Sequence, residues 1–174
     1  MTLVYKITML SNFDLDSICQ HYSVPLKGIY LRDQLPASPE NGLTIINLDR
    51  AFDFDGPVGT HWTALFCDDS ACVYCDSFGA PAPTDVDKWI KGRYRKYGHN
   101  AWIIQSVKSN CCGFYTVAFG LFCTKKRKKN EGLVACVDRY VNMFGERGNE
   151  KILREFLISA GGLPVHELVI KKCK

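Results

Sequence analysis

The run from Gly113 to Cys123 is apolar on nearly all sides and carries no charge. A surface helix shows one polar face; a segment without one has to be covered all round. It reads as a buried helix, and it is far too short for a membrane span, which takes about 20 apolar residues. A chain that buries a whole helix must wrap other elements around it. The 174 residues suffice for one domain, 1–174, with a real core. No internal repeat and no Pro/Gly/Ser linker divides them. An apolar fraction of 47% argues against an intrinsically disordered chain.

The elements around that helix follow from local signals. Asn12 to Tyr22 reads as a short helix capped by Ser11 or Asn12. Gly28 to Pro39 is rich in turn residues and reads as irregular. Leu43 to Leu48 reads as a buried strand. Gly56 to Gly59 reads as a turn or loop. His61 to Phe66 and Cys72 to Cys75 read as strands flanking an Asp68-Asp69-Ser70 hairpin turn. Thr84 is expected to cap a helix from Asp85 to about Tyr97, with Asp87 completing a capping box. Ala101 to Gln105 reads as another strand. Lys125 to Asn130 is a solvated break, followed by amphipathic helices over Leu133 to Phe144 and Glu150 to Ser159. The fold class expected is α+β: a small, mainly antiparallel central sheet with flanking helices.

Three places carry chemistry. A turn centred on Asp68 and Asp69 sets His61 opposite Asp76, where side chains of one face meet. A carboxylate there fixes one imidazole nitrogen and leaves the other free as a base. A slip of one residue would separate the two, and a surface histidine beside an unrelated aspartate fits the same hairpin. Cys111-Cys112-Gly113 stands at the start of the apolar helix, where the dipole favours a thiolate. Gly113 would let a substrate come close to the backbone. Two buried structural cysteines fit that segment as well. Gln105 closes the expected strand ahead of Cys112. Its amide and the Cys112 N–H are candidate oxyanion donors, although a glutamine at a strand end is more commonly just solvated.

Taken together, Gly59-Thr60-His61-Trp62, Tyr74-Cys75-Asp76-Ser77-Phe78-Gly79 and Gln105 through Phe114 resemble the adenovirus protease family, part of the larger group that holds the SUMO-specific proteases. Gly28 to Pro36 is similar to the adenoviral segment that precedes the sheet. The resemblance runs from about Asn12 to Cys123 and fades in the C-terminal third. It implies an α+β fold with the nucleophile's helix packed on the sheet that carries His and the acid. It implies Cys112 as nucleophile, His61 as base, Asp76 as orienting acid and Gln105 in the oxyanion hole. Trp62 would shape the substrate site and lie against the imidazole. Cys111 replaces the usual small residue before the nucleophile. Trp89 to Ile104 has no cysteine to anchor the disulfide-linked activating peptide of adenoviral members.

The resemblance further implies a monomeric, virus- or transposon-encoded maturation protease, of the virophage or Polinton type. It would cleave capsid or core precursor polypeptides inside virions and the host cell. Removal of ubiquitin-like modifiers, acyl transfer from acetyl-CoA and a non-enzymatic nucleic-acid module are the rival readings. The basic run Lys125, Lys126, Arg127, Lys128 and Lys129 is a candidate DNA contact, or a solvated linker. A net charge of +4 does not by itself imply nucleic acid.

Nine cysteines is a high, odd count. Met1 to Lys6 lacks the basic region and long apolar stretch of a secretory signal, so most thiols are expected reduced and buried. Cys72 and Cys75, near Cys67, have zinc half-site spacing. Residues three apart on a strand face opposite sides, and no second pair is well placed, so no metal and no cofactor is expected.

Overall fold

The computed structural model describes residues 10–51 and 61–162. The expected turn at Gly56–Gly59, and Gly59 and Thr60 of the histidine motif, lie outside the described residues. In chain order the elements are α1 (Asn12–His21), β1 (Leu26–Leu31), β2 (Gly42–Asn47), β3 (Trp62–Cys67), β4 (Cys72–Cys75), α2 (Thr84–Lys91), β5 (Gly98–His99), α3 (Cys112–Lys125), α4 (Leu133–Val141) and α5 (Asn149–Ser159). The fold is α+β. The sheet is mixed, not mainly antiparallel: its order is β1-β2-β3-β4-β5, with both outer pairs parallel and both inner pairs antiparallel.

The central strands are buried on both faces, and their alternation sorts side chains into two cores. Leu43, Ile45, Ala64, Phe66, Val73 and Cys75 face α3 and the helices around it. Ile46, Leu65, Cys67, Cys72 and Tyr74 pack with Val86 and Ile90 of α2 on the other side. This is why the strands read as nearly continuous apolar runs. Every residue of α3 from Cys112 to Cys123 is buried, as its lack of a polar face requires.

Gly120 lets α3 lie close against Leu43 of β2. A Cβ there would stand 2.5 Å from Leu43 Cδ2 and 3.0 Å from Val24 Cγ1. Overpacking of a fixed core costs about 1–3 kcal/mol, so Gly120→Ala should lower the melting temperature measurably. Gly145→Ala, whose Cβ would meet nothing within 4 Å, is the control and should melt close to the parent. Equal melting of the two variants would contradict the close approach.

Several local expectations are corrected. Leu26–Leu31 is an edge strand, disguised by turn-type residues and by an irregularity between Leu26 and Gly28. Pro83, not Thr84, occupies the α2 cap, and no side chain caps it; the helix stops at Lys91. The Asp87 carboxylate instead accepts from Lys91 Nζ at 2.9 Å and from the Tyr97 hydroxyl at 2.7 Å. The 101–105 segment is no strand. Trp102 and Ile103 are 74% and 64% exposed, while Ile104 and Gln105 both donate their N–H to the Ser77 carbonyl. The α1 cap holds as a full capping box between Ser11 and Asp14.

Candidate active site

The β3–β4 hairpin delivers two of the four residues. Its ladder pairs Ala64 with Cys75 and Cys67 with Cys72, so Asp76 continues opposite Thr63 rather than His61. The reason is the turn. Asp68 is its first residue, not a central one: its Oδ1 accepts from the N–H groups of Ser70 and Ala71, an Asx turn. The slip is two residues, which preserves the face. His61 and Asp76 become diagonal neighbours, and His61 Nε2 meets Asp76 Oδ1 at 2.8 Å.

Asp76 is buried and held from three sides. The same Oδ1 accepts the Phe78 N–H at 2.7 Å. Asn100 brackets its backbone, accepting the Asp76 N–H at 2.9 Å and donating to the Asp76 carbonyl at 2.6 Å. The Phe78 ring lies against the imidazole, with centroids 4.9 Å apart. The sequence reading gave that place to Trp62. Trp62 is instead 5% exposed and donates its ring N–H to the Leu10 carbonyl.

Cys112 is the first residue of α3, and its side chain lies close enough to His61 to help raise the imidazole's pKa. With Nε2 committed to Asp76, Nδ1 is the nitrogen left for it. Burial alone would lower the His61 pKa, but its hydrogen bond to Asp76 and its interaction with Cys112, with the charges of both, push it up to about 9. An imidazolium held beside a thiol is the arrangement that activates cysteine nucleophiles. Cys111 is fully buried and disulfide-bonded, whereas Cys112 is a free thiol. Gly113 does not open the backbone to a substrate: a Cβ there would stand 3.1 Å from methyls of Leu10 and Leu15. It lets the chain around α1 approach α3.

Gln105 is 2% exposed and its amide orientation is fixed. Nε2 donates to the Ser109 carbonyl at 2.7 Å, an oxygen that can only accept, and Oε1 accepts from the Ser77 hydroxyl at 2.6 Å. The Ser109 hydroxyl in turn accepts the Cys111 N–H at 3.2 Å. Ser109 therefore ties Gln105 to the start of α3. The N–H of Cys112 belongs to the first turn, where no intrahelical acceptor exists.

Ser77, Phe78, Asn100 and Ser109 were not singled out from sequence. Ser77 and Phe78 stand inside the aspartate motif and Ser109 inside the cysteine motif, and that adjacency was their only signal. Asn100 had none. The basic run is not uniformly free: Arg127 pairs with Asp68 at 2.6 Å, while Lys125, Lys126, Lys128 and Lys129 are exposed. Among the described residues no group of three or more His, Cys, Asp or Glu side chains is placed to hold a metal ion. No helix among them is long and apolar enough to cross a membrane. No protein-family model matches the chain, and no curated protein matches it.

The imidazolium sets a pH dependence. Its folded pKa lies above the unfolded value, from 6.5 to about 9. The stability it contributes is thus fully present below about 6.5 and is lost as pH rises through about 9. Any reaction that needs the imidazolium as an acid should lose rate on the same alkaline limb. Asp76→Asn removes the hydrogen-bonded charge and should move that limb to lower pH in a kcat/KM profile. An unmoved limb would show that Asp76 does not hold the proton on His61.

Proposed function

We propose that the chain is a cysteine endopeptidase with Cys112, His61 and Asp76 as its triad and Gln105 as an oxyanion donor. The observation that carries this is His61, bonded to a buried carboxylate through Nε2 and standing beside a free cysteine at a helix start. The Cys112 thiolate attacks the scissile carbonyl carbon. The developing oxyanion takes hydrogen bonds from the second Gln105 amide hydrogen and from the Cys112 N–H. His61 gives its proton to the leaving amine, and a thioester remains on Cys112. His61 then deprotonates the water that hydrolyses it, and the free acid leaves. The resemblance to adenoviral proteases supports structural precursor polypeptides of a virus or transposon as substrates. A cavity of about 390 Å³ adjoins Gln105, between Ile103, Ser106 and Val107 on one side and the 146–150 segment on the other. The four exposed lysines at the end of α3 and just beyond it, Lys125, Lys126, Lys128 and Lys129, remain the candidate DNA contact.

The test is labelling with a peptide bearing a thiol-reactive electrophile, followed by mapping. Cys112 should carry the label, and a precursor polypeptide should be cut by the unlabelled protein alone. Labelling elsewhere would overturn the assignment. Activity confined to ubiquitin-like fusions, or dependent on acetyl-CoA, would replace the substrate class or the reaction.

Gln105→Ala removes the amide donor together with its contacts to Ser77 and Ser109. Loss of one oxyanion donor costs about 10²–10³ in kcat, so kcat should fall with KM little changed. A pure KM effect would make Gln105 a ground-state contact.

A further inference from the structure

Cys67 and Cys72 close the β3–β4 ladder as a directly opposed pair. Their sulfurs stand 2.7 Å apart, and both thiols are free and 1% exposed. Opposed residues of an antiparallel ladder have Cα atoms about 4.5 or 5.5 Å apart, within the span of about 4.4–6.8 Å that a disulfide bridges. A bond can therefore form with the backbone left in place. The zinc-like spacing of Cys72 and Cys75 is divided by the sheet, since Cys75 lies in the α3-side core and Cys72 in the α2-side core. Cys72's neighbour is Cys67, and neither thiol has a part in the site built around Cys112.

We propose that Cys67 and Cys72 are a redox-active dithiol that closes to an intrachain disulfide, with a peroxide as oxidant. One sulfur attacks a peroxide oxygen; the O–O bond breaks, a sulfenic acid forms and, with the thiol's proton, one water leaves. The second sulfur then attacks the sulfenic sulfur; the S–S bond forms, the S–O bond breaks and a second water leaves. The two sulfurs lose two electrons and the peroxide gains them. A small dithiol reverses the step by exchange. The mutual hydrogen bond and burial push the Cys72 thiol far above its usual range, so thiolate is scarce and closure is slow, on the scale of minutes to hours. The oxidant's approach is from the turn at Asp68–Ala71, where Asp69 and Ser70 are exposed. The disulfide would staple the hairpin that positions His61 and Asp76.

The experiment uses full-length Cys112→Ala protein, so its outcome is independent of proteolysis. After hydrogen peroxide treatment and quenching, the protein is denatured, alkylated and cut with trypsin. Cys67, Cys72 and Cys75 fall in one peptide, Ala51 to Lys88. The expected product carries one alkyl group, on Cys75, and has lost two hydrogens. Reduction before alkylation should restore all three groups. Cys67→Ala and Cys72→Ala, each in the same background, should leave the remaining two cysteines alkylated. The melting temperature should rise on oxidation only when both thiols are present. Three alkyl groups at every oxidation time, or a bridge that includes Cys75, would overturn the proposal and leave the pair as small apolar core residues.

Discussion

Replacing Cys112 by alanine should abolish peptide hydrolysis while the protein keeps its cooperative thermal transition. The substitution removes one sulfur from the end of a helix whose other contacts remain, so the fold has little to lose. The chemistry loses its only route to a covalent intermediate. Where such a nucleophile has been removed from a protease, the loss is on the order of 10⁶-fold in kcat. Cys111→Ala is the informative comparison. Cys111 is fully buried and disulfide-bonded, has no thiol to offer, and should retain substantial activity when replaced. If Cys111→Ala were inactive and Cys112→Ala active, the nucleophile would be the wrong cysteine.

His61→Ala should cost about 10²–10⁴-fold, the usual contribution of a general base, and Asp76→Ala should cost less. The two residues do different work. In the proposed mechanism His61 holds the proton that the leaving amine needs and later takes one from water. Asp76 fixes Nε2 and favours the imidazolium, but without it the ring still rests on Phe78 and meets Cys112. Steady-state rates of the two purified variants decide the order. A slower Asp76→Ala enzyme, with its fold intact by circular dichroism, would reverse the roles given to acid and base.

The parts of this arrangement that were legible in the sequence are those set by periodicity and chain proximity. The apolar run of α3, the buried strands at Leu43 and in the hairpin, and the cap of α1 are local, and the structure keeps them. The hairpin was readable in kind but not in register, because the placement of Asp68 as an Asx acceptor depends on which backbone N–H groups its carboxylate reaches. The face survived only because the slip was even. Roles set by tertiary contact were misread. Trp62 next to His61 suggested a ring against the imidazole, yet the ring there comes from Phe78, seventeen positions along the chain from His61. Gly113 suggested substrate access, yet its missing side chain makes room for Leu10 and Leu15. The Asn100 bracket on Asp76 is made by a residue twenty-four positions away, and no local pattern announces it.

The ion pair between Arg127 and Asp68, at 2.6 Å, has a mechanical consequence. The Tyr94 hydroxyl also binds the Asp68 carbonyl, at 2.8 Å, so the hairpin tip is clamped from two directions. The α3 helix, with Cys112 at one end, runs about 21 Å at 1.5 Å per residue to reach that clamp. The hairpin, with His61 and Asp76 at its open end, runs back from the same point. The element that carries Cys112 and the hairpin that carries His61 and Asp76 are thus tied to each other at the end away from those residues, through a contact outside the site.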